Sequence, residues 1–387
     1  MRASLPAAIC GLGIAQIISW GSLYYAIAVL GDSIKHDLGV GTSLLFASFT
    51  LSLLISGFAA PMVGRLMEAY GARVVLCAGS STGMVALLML GAASGPVSLF
   101  LGATVAGLAM AASLYDAGFM ALNQIAGDAY RRAVTDLTLF GGLASTVFWP
   151  VSQFLLGALG WRHTLTCYAA LQLLVCLPLH ALLLPKGAGA GKASSPNARL
   201  PAVLPNTVWL ASAFALASFV LSVLSVHLIG IFRSAGVPAG QAVFVASLVG
   251  PMQVLGRLLE LGLGSKMRAV SVGALAFVCM AMALVAVFLL DRPSTLVFLI
   301  AVLYGASNGL MTIVRGVLPA ELYGRQNYAA LLGHMARPAF IARALAPFAF
   351  PAALATMGRS AAILALTIIA ILACLVYRVA IGNASRC

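Results

Sequence analysis

The sequence predicts an all-α integral membrane protein with twelve transmembrane helices arranged in two pseudo-symmetric halves of six. Composition, the length of the apolar runs and an internal repeat support this prediction. Of the 387 residues, 62% are hydrophobic and only 8% are charged, and the mean hydropathy is +1.06. A water-soluble core cannot bury that much apolar surface. The runs reach about 20 residues, enough to cross roughly 30 Å of hydrocarbon as helix, whereas barrel strands alternate apolar and polar residues.

Loops rich in glycine, proline or charge divide the chain into twelve predicted spans. The first apolar run is too long for the core of a signal peptide and is therefore interpreted as span one. Residues 186–205 form a long polar stretch typical of a flexible linker, which separates six-helix bundles over 1–185 and 206–387. The spans cover residues 5–30, 42–66, 73–93, 97–122, 134–159, 162–184, 206–232, 240–261, 268–290, 294–318, 328–353 and 359–381.

The distribution of lysine and arginine predicts the orientation. If the N-terminus is cytoplasmic, the inner loops and termini carry fourteen of the 22 basic residues and the outer loops carry five. This bias predicts a multi-pass protein of the cytoplasmic (inner) membrane with both termini in the cytoplasm. The remaining three, Arg315, Arg337 and Arg343, fall within predicted spans. The net charge of +13 therefore reflects topology and not nucleic-acid binding, because the basic residues form no cluster on a soluble domain.

A sequence repeat relates the two halves. The stretch PMVGRLME at 61–68 returns as PMQVLGRLLE at 251–260, so that Gly64 matches Gly256 at an offset of 192 positions. Two parallel six-helix repeats joined by a linker are typical of secondary transporters, whose binding sites lie at the repeat interface near the membrane midplane. Further pairs at this offset are Arg65 and Arg257, Leu66 and Leu258, Glu68 and Glu260, Gly141 and Gly333, and Phe148 and Phe340.

The stretch GRLMEAYGAR between spans two and three resembles the motif of the major facilitator superfamily, roughly Gly-x-Leu-x-Asp-Arg-x-Gly-Arg-Arg. Glu68 replaces the usual aspartate, and Ala69 and Ala72 replace basic residues. The turn GWRHT at 160–164 is similar to the turn before span six in that family, and the resemblance covers essentially the whole chain. The matching motif positions are Gly64, Leu66, Gly71 and Arg73 in the first copy and Gly256, Leu258 and Glu260 in the second.

The resemblance implies that these motif residues form a conformational latch on the cytoplasmic side. Glycine allows two helix ends to approach closely, and a carboxylate there stabilises the positive N-terminus of a helix in the opposite half. Local ion pairs are the alternative, between Glu68 and Arg65 or Arg73 and between Glu260 and Arg257 or Lys266. The latch residues are Gly64, Arg65, Glu68, Arg73, Gly256, Arg257 and Glu260.

Two polar stripes lie inside predicted spans. Asp116 and Asn123 in span four are seven residues apart, as are Asn308 and Arg315 in span ten, so each pair shares one side of its helix. The resemblance implies that spans one, four, seven and ten line a central cavity, which makes these residues candidates for substrate binding. Asp116 is the candidate for proton coupling, and a structural pairing with a hydroxyl group or an arginine is its alternative. The alternative for Arg315 is that its side chain extends to the lipid headgroups.

Spans eleven and one hold the remaining candidates. Arg337 and Arg343 are six residues apart, about 120° around a helix, so at least one is expected to be a structural partner rather than a ligand contact. Tyr24 and Tyr25 in span one either contact the solute or anchor the span at the outer interface.

Three basic residues against one acid deep in the spans favour an anionic solute. The sequence therefore predicts a secondary active transporter for a small organic anion, working by alternating access with proton coupling and functional as a monomer in the bilayer. Span one is distantly similar to monocarboxylate and oxalate/formate carriers of the superfamily. The alternative is multidrug or toxic-compound efflux by proton antiport. Such antiporters usually carry Gly-x-x-x-Gly-Pro in span five, and the stretch around Pro150 lacks that arrangement.

Enzymatic and receptor functions are disfavoured. The sequence shows no nucleophile and base set, and its seven cysteines have no metal-ligand spacing, so neither cofactor nor metal is expected. There is no GxxxxGK[ST] loop for ATP, and the loops are too short to hold a soluble output domain.

Overall fold

The computed structural model describes residues 4–185, 205–263, 267–324 and 328–384. Within these ranges the regular secondary structure is helical and contains no strand. The predicted linker lies outside the described residues apart from Pro205. The α-helices are α1 (Leu5–Ser19), α2 (Ala26–Leu38), α3 (Thr42–Tyr70), α4 (Ala72–Gly91), α5 (Pro96–Ser113), α6 (Tyr115–Ile125), α7 (Tyr130–Gly142), α8 (Ala144–Leu171), α9 (Leu177–Leu183), α10 (Pro205–Ser234), α11 (Ala239–Ser247), α12 (Val249–Leu263), α13 (Ala269–Phe288), α14 (Leu296–Tyr323) and α15 (Tyr328–Ala384).

The predicted all-α membrane fold is confirmed. Each predicted span is mostly helical, although some spans are divided between consecutive helices. The described residues contain nine helices long and apolar enough to cross a membrane. The described residues form two compact units, one of 4–185 with 328–337 and one of 205–324 with 338–384. The nine helices are Leu5–Tyr25, Ser43–Tyr70, Ala72–Gly91, Pro96–Ile125, Pro150–Leu183, Thr207–Ser234, Ala269–Phe288, Leu296–Tyr323 and Phe348–Asn383.

Two predicted loops are replaced by single glycines. Gly160 interrupts α8 with φ 76° and ψ 168°, and Gly358 interrupts α15 with φ 79° and ψ 171°. Side chains other than glycine rarely adopt this positive φ. These glycines therefore end spans five and eleven and begin spans six and twelve without a connecting loop.

An arginine beside the first of these glycines connects three segments of the first unit. Arg162 donates hydrogen bonds to the carbonyl oxygens of Gly91, at 2.9 Å, and Ala93, at 2.7 Å. Its guanidinium also forms an ion pair with Asp37 Oδ2 at 2.7 Å and lies 4.2 Å from the ring centre of Trp161. Arg162 thus satisfies carbonyl groups at the end of α4, which have no partner within that helix.

The second unit repeats this arrangement. Arg359 follows Gly358 and donates to the carbonyl oxygen of Leu290 at 2.7 Å and to Ser234 Oγ at 3.0 Å. Arg162 and Arg359 are 197 positions apart, so the repeat offset is larger here than at the glycine motif.

We expect Arg162→Ala to lower the free energy of unfolding by roughly 2 kcal/mol. Hydrogen bonds from a charged donor contribute about 1.5–3 kcal/mol each, and the partial exposure of Arg162 reduces that value. Thermal unfolding in detergent measures the loss. Arg292→Ala is the control, because Arg292 is exposed and has no hydrogen bond within the described part of the chain. Equal melting temperatures for the two variants would contradict the expectation.

A second interaction recurs in both units. Gln124 at the end of α6 accepts a hydrogen bond from the backbone N–H of Ala72 at 2.9 Å and donates to the carbonyl of Met67 at 2.9 Å. At an offset of 197, Glu321 in α14 accepts from the backbone N–H of Ala269 at 2.9 Å. In each unit, a side chain near the end of one helix, α6 or α14, therefore accepts a hydrogen bond from the first backbone N–H of another helix, α4 or α13.

Candidate functional site

Span four is not the continuous helix that the sequence predicts. Leu114, with an extended backbone at φ −82° and ψ −169°, separates α5 from α6. Asp116 lies in the first turn of α6 and is 7% exposed. A carboxylate is favoured there because the N-terminus of a helix carries partial positive charge. The matching helix α14 passes through Asn308 without interruption.

A buried glutamine from α1 contacts the break. Gln16 Nε2 donates a 2.7 Å hydrogen bond to the carbonyl oxygen of Ser113, the last residue of α5. Gln16 is 0% exposed. Gln16 is not among the predicted site residues. The available signal was a glutamine within a largely apolar first span.

The aromatic residues of span one lie next to the same break. Residues Trp20–Tyr25 form a π-helical turn, a departure from α-helix often found at functional sites. The Trp20 ring centre is 5.1 Å from that of Tyr115, the residue before Asp116, and 5.1 Å from that of Tyr24. Tyr24 and Tyr25 are themselves 5.2 Å apart and half-buried. Both predicted tyrosines thus belong to an aromatic cluster that reaches the start of α6.

In the second unit, two predicted arginines meet at one aromatic ring. The guanidinium carbons of Arg315 and Arg343 each lie 5.5 Å from the ring centre of Phe340, which is 5% exposed. The carbonyl oxygen of Arg343 accepts a hydrogen bond from Ser222 Oγ at 3.0 Å. Within the described residues, the guanidinium of Arg343 forms no hydrogen bond or ion pair. The structure therefore gathers two cationic groups around one side chain.

Arg337 lies elsewhere. Its guanidinium carbon is 4.6 Å from the ring centre of Phe58 in the first unit, and its side chain is exposed. Arg337 and Arg343 thus contact different aromatic rings, as their angular separation on the helix predicts. The helix α15 continues through Pro338 without a break.

The two asparagines complete the stripes. Asn123 lies on α6 with Asp116, and Asn308 lies on α14 with Arg315, so each pair shares one uninterrupted helix. Both asparagines are half-buried. The carbonyl oxygen of Asn308 accepts a hydrogen bond from Thr312 Oγ1 at 2.9 Å, which is a local contact within α14.

The first copy of the glycine motif contacts the start of α15. Glu68 Oε1 accepts a 2.8 Å hydrogen bond from the backbone N–H of Ala330, the third residue of that helix. A Cβ atom on Gly64 would overlap the carbonyl oxygen of Ala329, and one on Gly333 would lie 2.5 Å from that of Ala60. The two backbones approach closely because neither glycine has a side chain.

The alternative of local ion pairs is not observed for the first copy. In the described part of the chain Glu68 forms no ion pair with Arg65 or Arg73, and Arg65 is exposed. In the second copy, Arg257 and Glu260 are 3% and 5% exposed. Arg257 Nε and Nη1 have no hydrogen-bond partner within the described ranges.

A tyrosine pair extends the contact at α15. Tyr130 begins α7 and Tyr328 begins α15, and the Tyr130 hydroxyl donates to the Tyr328 hydroxyl at 2.6 Å. Both are buried. Neither tyrosine is among the predicted site residues. Tyr328 begins predicted span eleven, whereas Tyr130 lies four residues before predicted span five.

No group of three or more histidine, cysteine, aspartate or glutamate side chains suited to a metal ion occurs among the residues that the structure describes.

Comparisons with known proteins found similar solved structures and a matching family model. No curated protein matches the sequence. The human organic anion transporter MFSD10 (TETRAN) is similar in structure, with a TM-score of 0.70 and 14% identity over 96% of this chain and 98% of that one. The proton:xylose symporter XylE, solved with 6-bromo-6-deoxy-D-glucose, has a TM-score of 0.74 and 14% identity over 95% and 94% of the two chains.

The family assignment rests on the sequence itself. The model of the Major Facilitator Superfamily matches residues 12–333, well over half of the chain. The match includes both copies of the glycine motif and the two polar stripes. The chain therefore belongs to the Major Facilitator Superfamily of multi-pass membrane transporters.

Proposed function

We propose that this protein is a secondary active transporter that moves a small organic anion across the cytoplasmic membrane by alternating access, coupled to protons. The observation that carries the proposal is the placement of Arg315 and Arg343, whose guanidinium carbons each lie 5.5 Å from the ring centre of the buried Phe340. A charge within a membrane span costs at least about 2.5–3.5 kcal/mol and therefore needs a partner. An anionic solute supplies that partner for Arg343.

Asp116 is proposed as the coupling carboxylate. It is buried in a membrane span and lies in the first turn of a separate half-helix. Asn123, Asn308, Tyr24 and Tyr25 are proposed as neutral contacts to the polar groups of the solute.

The glycine motif is proposed as the latch that stabilises one conformation. The hydrogen bond from Ala330 N–H to Glu68 and the close approach at Gly64 support this role, because both stabilise the start of α15 against α3. Glu260 and Gly256 occupy the matching positions of the second repeat and are assigned the same role. Arg65, Arg73 and Arg257 complete the proposed set.

The orientation is proposed from charge alone. Fourteen basic residues fall on one side and five on the other, which favours cytoplasmic termini and an inner-membrane location. We further propose that the monomer is the functional form, since each repeat contains its own set of site residues.

We expect small carboxylates to raise the melting temperature of the purified protein, because a ligand that binds only the folded state stabilises it. Arg343→Gln should weaken this binding roughly 10- to 150-fold, which corresponds to about 1.5–3 kcal/mol for hydrogen bonds to a charged group. Arg337→Gln is the matched control and should retain it. Stabilisation by lipophilic cations alone would overturn the proposal and favour multidrug efflux.

A further inference from the structure

The break in span four changes the hydrogen-bond donor of one backbone carbonyl, that of Ser113. In a continuous α-helix, a carbonyl accepts from the N–H four residues later. The extended backbone at Leu114 interrupts this ladder, and the helix resumes with Gly118 N–H donating to the carbonyl of Leu114 at 3.1 Å. The carbonyl of Ser113 instead accepts the 2.7 Å hydrogen bond from Gln16 Nε2.

The hydrogen bond from Gln16 to the carbonyl of Ser113 is made at a cost in folding free energy. Gln16 is fully buried, and its Oε1 atom has no hydrogen-bond partner within the described residues. A buried amide with an unsatisfied acceptor destabilises the fold relative to an apolar side chain of similar length. The amide also lies against the first turn of α6, since a Cβ on Gly118 would stand 3.2 Å from Gln16 Nε2. Gln16 therefore acts on the turn that carries Asp116.

The second repeat has neither the break nor the glutamine. Its helix α14 is continuous through Asn308. The positions that match Gln16 at offsets of 192 and 197 are Val208 and Ala213, neither of which has a side-chain hydrogen-bond donor. The glutamine, the break and the buried acid thus occur together in one repeat only.

We propose that Gln16 is a positioning residue for Asp116. By holding the carbonyl of Ser113, Gln16 fixes the first turn of α6 and with it the location of the Asp116 carboxylate. It thereby sets the pH at which uptake is half-maximal. This inference rests on the proposed coupling role of Asp116.

The test compares the pH profile of solute uptake with solute counterflow in proteoliposomes. Gln16→Met keeps the length of the side chain and removes the donor. We expect it to shift the pH of half-maximal uptake by about one unit, a tenfold change in proton affinity, with counterflow near the wild-type rate. Gly118→Ala should cause a similar shift, because the added methyl group would lie 2.9 Å from Leu137 Cδ2 and 3.2 Å from Gln16 Nε2, so that both side chains must move slightly.

Two controls separate positioning from packing. Gln172→Met removes an equally buried glutamine that donates to Ser22 Oγ at 3.1 Å and not to a backbone carbonyl of span four, and it should leave the profile unchanged. Gly157→Ala is the control for Gly118→Ala, because it adds a methyl group where nothing lies within 4 Å, and it should also leave the profile unchanged. An unshifted profile in both Gln16→Met and Gly118→Ala, or an equal shift in Gln172→Met, overturns the inference alone. A wild-type protein whose uptake does not depend on pH overturns the proposed proton coupling as well.

Discussion

Asp116→Asn is expected to abolish proton-driven accumulation of the solute while solute counterflow continues. The amide keeps the shape of the carboxyl group but takes up no proton in the physiological range. Counterflow requires only that the loaded carrier change conformation, whereas accumulation requires that proton and solute move together. In proteoliposomes with an imposed pH gradient, we expect the variant to reach no internal concentration above the external one.

Asp136→Asn is the matched control for this prediction. Asp136 lies in α7, is half-buried, and is a second carboxylate in a predicted span. The control should accumulate solute as the wild type does. If Asp116→Asn still accumulates solute against a gradient, Asp116 is not the coupling residue.

Gly64→Ala is expected to disrupt the contact between α3 and the start of α15. The added Cβ would overlap the carbonyl oxygen of Ala329, a backbone atom that cannot rotate away. Overpacking of this kind costs typically about 1–3 kcal/mol, which shifts a two-state equilibrium roughly 5- to 150-fold. The hydrogen bond between Ala330 N–H and Glu68 would be lost with the contact.

The rate of thiol labelling measures this shift. We expect a cysteine introduced by Ala330→Cys, in a variant without the native cysteines, to react faster when Gly64→Ala is also present. Gly157→Ala is the control, because a Cβ atom added there would meet nothing within 4 Å. If the cysteine at position 330 reacts at the same rate with and without Gly64→Ala, the latch proposal is contradicted.

The fold could be predicted from sequence because membrane helices are encoded locally. Apolar runs and turn glycines each involve neighbouring residues, and the twelve predicted spans are mostly helical. The equivalence of Arg162 and Arg359 could not be seen at the offset of 192 that relates the glycine motifs, because these two arginines are 197 positions apart. The shared chemistry there lies in contacts with backbone carbonyls, which the sequence does not display.

The candidate site could be predicted only in part. Spacing along one helix indicated that Asp116 and Asn123 share a face, and that Arg337 and Arg343 do not. The break at Leu114 could not be foreseen, because no proline or glycine marks it and its stabilising hydrogen bond comes from Gln16, 97 positions away. The grouping of two arginines at Phe340 likewise depends on how α14 packs against α15.

Counterflow of a labelled carboxylate in proteoliposomes containing the purified protein tests the proposed transport of organic anions most directly. We expect unlabelled carboxylate inside the vesicles to drive uptake of labelled carboxylate from outside. Arg343→Gln should lower that uptake at least about tenfold at labelled concentrations below the dissociation constant, while Arg337→Gln retains it. Flux of lipophilic cations with no carboxylate counterflow would contradict the proposed function.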